Sequence, residues 1–249
     1  MSRTKLVVFD LDDTLFDNHH FYSRANLEFA MKMLDIFGNR CADVEHTIAT
    51  VTRTNAELMM HSPESEKFSR HRFPTSLMMV YTRFCKDFGV HENMGILQEV
   101  ADIGMRVFDY QRWKKQGLVE GAQALLSYAR EDGATLVLKT KGDTQVQSGK
   151  IVALDLTRYF DSNHIFIVTD KNVATFQSVL SPRYTTSITV GNASASDIKP
   201  ALDAGFTHGI YVPYEMWSYE KSRQVVFEND ARVKTVPSLV HALDAYKSL

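Results

Sequence analysis

Apolar residues fall along the chain in two textures. Lys5-Leu6-Val7-Val8-Phe9 is a short, almost continuous apolar run ended by acids, the pattern of a strand buried on both faces. From about residue 18 to 115 the texture changes to long Met- and Phe-rich stretches of helical period. Phe29, Met33, Leu34 and Phe37 recur at that spacing and stop at Gly38, which suits a C-terminal cap. Further helices are expected over about 43–60, 75–88 and 96–113. Arg72-Phe73-Pro74 marks the start of one, since the residue before proline resists the α region.

After residue 118 the pattern becomes helix, strand, helix, strand. Val119, Ala122, Leu125, Leu126 and Ala129 form one apolar helical face, ended by Gly133. Strand-like runs follow at Thr135–Leu138, Ile165–Val168, Ile188–Val190 and Gly209–Val212, with amphipathic segments between them. Parallel strands need such crossovers, so the expected fold is α/β: a doubly wound, Rossmann-like parallel sheet. The strand near residue 7 joins the same sheet. The roughly hundred residues of helix between are then an insertion, because structureless loops beyond ~12–15 residues are uncommon. The expected division is a core of 1–17 and 116–249 and a mainly α-helical insertion of 18–115.

Composition narrows the function. The 249 residues are 44% hydrophobic and 23% charged, which excludes disorder and low-complexity polymers. A net charge of −2 supplies no global field for nucleic acid or an anionic membrane surface, so neither is expected as a partner. Cys41 and Cys85, the two cysteines, make no disulfide framework and have no zinc-like spacing. Leu6 to Phe9 is too short for the core of a secretory leader, and a cytoplasmic protein is expected.

Asp10-Leu11-Asp12-Asp13-Thr14 directly follows the first strand. In open α/β sheets, ligands bind beyond the carboxyl ends of the strands. At a period near two, Asp10 and Asp12 project toward one side. Two close carboxylates repel unless a proton or a cation intervenes. A plain turn accounts for acids and a Thr at a strand end, but less well for the whole pentapeptide at this place.

Phe9-Asp10-Leu11-Asp12-Asp13-Thr14-Leu15 resembles the first signature of the haloacid dehalogenase (HAD) superfamily, in its DxDxT phosphatase branch. Three further stretches resemble the later signatures in order. Leu136 to Asp143, with Thr140, is similar to the second; Lys171 stands at the place of the third; Val190-Gly191-Asn192-Ala193-Ser194-Ala195-Ser196-Asp197 is similar to the fourth. The resemblance covers residues 5–17 and about 118–213, with the helical insertion where a C1-type cap lies.

The resemblance implies a Mg²⁺-dependent phosphatase acting on a small phosphorylated metabolite. By it, Asp10 is the nucleophile that forms an aspartyl-phosphate and Asp12 the general acid and base. Thr140 contacts a phosphate oxygen, and Lys171 neutralises it while holding Asp10. Asp10, the Asp12 backbone carbonyl, Asn192 and Asp197 hold the metal, and the insertion acts as a lid. Asn192 departs from the pattern, where Asp is usual: its oxygen ligates but brings no charge. The alternatives are a phosphomutase, another HAD hydrolase such as a dehalogenase, and a catalytically weak binding protein. Outside these motifs, His19-His20 reads as a solvated flap and Met31/Met33, Met59-Met60 and Met78-Met79 as adaptable packing. Arg70-His71-Arg72 reads as a solvated basic cluster, with a substrate anion as its alternative partner.

Overall fold

The computed structural model describes residues 4–40, 43–63, 66–214 and 222–249. The chain divides into two compact units, Met1–Asp17 with Gln111–Leu249, and Asn18–Tyr110. The first strand is β1 (Thr4–Phe9), after which the chain enters the helical unit. There the helices are α1 (His19–Phe37), α2 (Val44–His61), α3 (Arg72–Asp87) and α4 (Met94–Met105). As the apolar spacing foretold, α1 stops at Gly38, whose φ of 55° lies in the left-handed region glycine enters without cost. Phe37 at its end packs among Tyr81, Phe84 and Phe88 of the α3 end, with ring centres 5.3–6.2 Å apart.

The single helix expected over 96–113 is two. Asp109 is extended (φ −82°, ψ 111°) and separates α4 and a short 3-10 turn from α5 (Tyr110–Gln116). Aspartate competes with the backbone for hydrogen bonds and suits such breaks. From Gln111 onward α5 groups with the α/β unit, five residues before the expected boundary at 116. Trp113 is the reason: it is buried and lies over the Lys150 ammonium, 5.7 Å from its ring centre.

The methionine pairs do not pack as units. Met33 and Met59 are buried while Met31, Met60 and Met79 are exposed, because adjacent residues on a helix face different ways. The basic cluster is not all solvated either. Arg72 donates from Nε to Asn55 Oδ1 at 3.0 Å and lies over Phe68, and its Nη1 is buried without a hydrogen-bond partner among the described residues. Burial lowers its pKa. Cys85 is buried, and Cys41 lies outside the described residues.

The α/β unit continues through α6 (Ala122–Glu131), β2 (Thr135–Lys141), α7 (Thr144–Ala153), β3 (Ile165–Val168), α8 (Val173–Gln177) and β4 (Tyr184–Gly191). It ends with α9 (Lys199–Asp203), β5 (His208–Tyr211), β6 (Val233–Thr235) and the helix Leu239–Lys247. The six strands form one parallel sheet in the order β3-β2-β1-β4-β5-β6. This is the doubly wound α/β fold, and β1 stands where the winding reverses, between β2 and β4. Three-residue β6 has no apolar run of its own and was not foreseen. Among the described residues no helix is long and apolar enough to cross a membrane.

On one face of the sheet Leu6, Val8, Val137, Phe176, Ala201 and Phe206 make a continuous core. Lys139 of β2 is buried on the same side: its ammonium donates to the Thr175 carbonyl and lies 4.9 Å from the Phe176 ring centre. Burial, and then the like charge of Lys171, lowers its pKa from 10.5 to about 8. Between those values the unfolded chain holds the proton and the folded protein releases it, so stability rises with pH there. Lys139→Met has no such proton. Wild type should therefore gain on Lys139→Met by on the order of 1–2 kcal/mol across this interval, allowing for solvent screening. Urea midpoints of both proteins at pH 7, 8, 9 and 10 measure it, and a flat difference would remove the shift.

Candidate active site

The end of β1 delivers Asp10 to the reversal point of the sheet. The ladder holds it there, the Asp10 amide donating to the Val190 carbonyl at 3.0 Å. The next residues turn tightly around one acceptor, with the amides of Thr14, Leu15 and Phe16 all donating to the Leu11 carbonyl. Asp13 takes the left-handed conformation this requires (φ 61°), which Asp tolerates better than most side chains. The turn brings Thr14 back over Asp10. Its hydroxyl is 2.8 Å from Asp10 Oδ2 and 3.2 Å from Asn192 Oδ1, within reach of both acceptors.

Asn192 follows β4, and the chain then makes a π-helical turn, Ser194–Ile198, that carries Asp197. Gly191 permits this: a Cβ there would lie 2.4 Å from the Asp197 Cβ, a distance no side chain accepts. Asp197 Oδ2 accepts from the Ala193 amide at 2.9 Å, and its carbonyl from Thr189 Oγ1 at 3.2 Å. The side chain and the backbone of Asp197 are thus each held.

Lys171, after β3, joins the two acids. Its ammonium donates to Asp10 Oδ1, and to Asp197 Oδ1 at 2.7 Å, with all three side chains buried. Burial raises the Asp10 carboxyl to about 7 against the pull of Lys171, and Asp197 adds to the rise. Burial alone would lower the Lys171 pKa, but the two acids outweigh it and raise it, so this ammonium stays charged. Two carboxylates face one ammonium, and with both ionised one negative charge is left over where little water enters.

Asp12 points elsewhere. Its carboxylate meets α7, where Lys150 Nζ lies 2.7 and 2.9 Å from its oxygens and Gln147 Nε2 donates to Oδ2 at 2.8 Å. Gln147 Oε1 in turn accepts from Thr140 Oγ1 at 3.2 Å. The structure therefore places all six residues singled out in the sequence at the carboxyl ends of β1 to β4, in two connected groups. Asp10, Asn192, Asp197 and Lys171 meet through Lys171 and Thr14; Asp12 and Thr140 meet through Gln147. Gln147 and Lys150 were missed. Their one trace in the sequence is that they share the buried side of α7 with Val146 and Ile151, polar residues where apolar ones are expected.

Among the described residues no group of three or more His, Cys, Asp or Glu side chains is arranged to hold a metal ion. The oxygens gathered by Thr14 and Lys171 come from two carboxylates and one amide. All are hard donors, of the kind that suits Mg²⁺ and not a thiol- or imidazole-seeking metal.

Comparison with known proteins agrees with this architecture. The family model for haloacid dehalogenase-like hydrolases matches residues 4–182. A search of curated proteins finds no match. Among solved structures, a haloacid dehalogenase-like family hydrolase from Xanthomonas campestris is similar at TM-score 0.70 and 21% identity, over 99% of this chain and 96% of that one. A HAD-hydrolase from Bacillus subtilis, solved bound to magnesium, is similar at TM-score 0.60 and 17% identity, over 98% and 99%. A 2-haloacid dehalogenase from Pseudomonas syringae pv. Tomato DC3000 follows at TM-score 0.54 and 19% identity, over 98% and 99%. At these identities the likeness is one of fold.

Proposed function

Since the chain belongs to the haloacid dehalogenase-like hydrolases, we propose that it is a phosphatase that hydrolyses a small phosphorylated metabolite through an aspartyl-phosphate on Asp10. The observation that carries this reading is Asp12. A second carboxylate stands two residues after the nucleophile, fixed by Lys150 and Gln147 in the same unit. Displacing halide from carbon requires no proton for the leaving group, whereas expelling an alkoxide from phosphorus does.

Phosphate esters resist attack because their oxygens are negative, so charge neutralisation and in-line positioning dominate catalysis. In the proposed reaction an Asp10 carboxylate oxygen attacks phosphorus and the P–O bond to the leaving group breaks. Asp12, in its protonated form, delivers the proton to the departing alkoxide. Thr140 donates its hydroxyl proton to a phosphoryl oxygen, and Lys171 stays beside Asp10 as a fixed cation. Asp12, now ionised, takes a proton from water as that water attacks the aspartyl-phosphate. Inorganic phosphate leaves and Asp10 is restored.

The site fits Mg²⁺. Asp10, the Asp12 carbonyl, Asn192 and Asp197 offer hard oxygens, and the surplus negative charge over Lys171 calls for a cation. When bound, the ion supplies further neutralisation of the phosphoryl oxygens. The test is release of p-nitrophenol from its phosphate with Mg²⁺ and with excess EDTA, followed by a panel of phosphorylated metabolites. Hydrolysis only with Mg²⁺ supports the reading. No hydrolysis of any ester with Mg²⁺ overturns it.

Asn192 makes a separate prediction. Its oxygen carries no charge, so Asn192→Asp adds Coulomb attraction for a divalent ion. Added repulsion among the acids of the empty site offsets part of the gain. The expected outcome is Mg²⁺ affinity tighter by on the order of tenfold, about 1.4 kcal/mol, with little change in turnover at saturation. Calorimetric titration with Mg²⁺ and activity against Mg²⁺ concentration both report it. Superimposable curves would take Asn192 out of the metal shell.

A further inference from the structure

The Mg²⁺ and nucleophile groups leave a buried polar cluster on α7 with no assigned task. Lys150 is nearly inaccessible, at 2% exposure, and Gln147 at 3%. Burying an ammonium is costly unless it is paired. Among the described residues Asp12 is the only acid Lys150 pairs with, and its ammonium lies over the Phe16 and Trp113 rings, 5.9 and 5.7 Å from their centres. A buried lysine aimed at one carboxylate between two aromatic walls has little freedom. It fixes where that carboxylate sits.

We infer that Lys150 and Gln147 are positioning residues for Asp12, and that Gln147 ties the setting of Asp12 to the occupancy of the phosphoryl site through Thr140. This rests on the phosphatase reading, in which Asp12 is the acid and base and Thr140 contacts the phosphoryl group. Thr140 has one hydroxyl proton, and it is given to Gln147 Oε1. The same proton cannot also serve a phosphoryl oxygen. When a phosphoryl group takes it, the Gln147 carbonyl loses its donor, and the amide can turn its Nε2 from Asp12 toward the Lys141 carbonyl, 3.5 Å away. Asp12 Oδ2 then loses one of its two ties, the Gln147 Nε2 bond at 2.8 Å, and keeps the longer contact to Lys150 at 2.9 Å, while Lys150 still holds Oδ1 at 2.7 Å. The carboxylate pivots on Lys150 and presents Oδ2 to the leaving group.

Such positioning acts on the proton transfer and not on attack by Asp10, and this gives a discriminating readout. An alkyl phosphate such as glycerol 3-phosphate needs its leaving group protonated; p-nitrophenyl phosphate, with a stable phenolate, needs this far less. The value of kcat/KM isolates the steps through phosphoenzyme formation. Lys150→Met should lower kcat/KM on the alkyl ester by on the order of 10²-fold, and on the aryl ester at least tenfold less than that. Lys150→Arg, which keeps the cation, should recover most of the loss. In the Asp12→Asn background, Lys150→Met should have almost no further effect on the alkyl ester, because its partner's chemistry is already gone.

Gln147→Leu leaves no charge unpaired and tests the same idea should Lys150→Met fold poorly. It too should lose more on the alkyl than on the aryl ester. Equal losses on both esters in Gln147→Leu and in a folded Lys150→Met, or full additivity with Asp12→Asn, overturn the inference while leaving the phosphatase reading in place. A wild type that cleaves no ester overturns both.

Discussion

Asp10→Asn should abolish turnover, by on the order of 10⁴-fold or more, and leave the fold intact. The amide has the shape of the carboxylate, and its oxygen still accepts from Lys171 or Thr14, which hold Asp10 now. What it lacks is the anionic oxygen that bonds to phosphorus in the proposed reaction, and no other group of the site replaces it. Asp197 is held by Lys171 and the Ala193 amide, and Asp12 by Lys150 and Gln147. Nucleophile removal in a covalent mechanism leaves only what binding and charge stabilisation achieve without it. The fold should tolerate the change because a site with two acids and one ammonium loses a like-charge contact when one acid becomes neutral. Steady-state phosphate release, a phosphoenzyme trap after acid quench and a urea midpoint separate these effects. Metal-dependent hydrolysis above about 1% of wild type in a preparation free of deamidated protein would move the nucleophile elsewhere.

The parts of the fold that were legible are those where one local pattern decides. Leu6 to Phe9 is an apolar run with acids at its end, and it is the central strand with the nucleophile candidate at its carboxyl terminus. Gly38 ends α1 because a local backbone requirement and a local residue coincide. Lys171 is a different case. A lone lysine in a loop has no period and no neighbour to mark it, and only the order of four motifs pointed to it.

What stayed hidden depends on partners far along the chain. Lys150 looks like an ordinary helical lysine until Asp12, 138 residues away, is brought against it. Gln147 is joined to Asp12 across 135 positions. The break at Asp109 was missed because apolar spacing runs on through it, and Trp113 belongs to the α/β unit for reasons of packing that no period records. Lys139 and Arg72 likewise trade the solvent expected of a cation for aromatic faces.

Asp12→Asn is expected to spare substrate binding and slow both chemical steps, by on the order of 10²–10⁴-fold where proton transfer limits them. Asparagine keeps an oxygen for Lys150, so the side chain can stay in place, but it neither gives nor takes a proton. The two steps should not suffer alike on every substrate. With p-nitrophenyl phosphate the first step retains much of its rate, since phenolate departs without a proton. The second step, attack of water on the aspartyl-phosphate, loses its base whatever the leaving group was. Phosphoenzyme should therefore accumulate: a burst of nitrophenol of up to about one equivalent per enzyme, then a slow steady state. With an alkyl phosphate the first step is impaired as well, and no burst should appear. Stability should fall modestly, because Lys150 keeps its burial but loses its counter-charge. Breaking a buried pair costs about 3–5 kcal/mol, but the Asp12 side chain is 22% exposed, so about 1–2 kcal/mol is expected here after screening. Restoring stability by adding Lys150→Met, without restoring turnover, would show that the two losses have separate causes. If Asp12→Asn turns over like wild type on both esters, Asp12 is not the acid, and the pairing with Lys150 serves the fold alone.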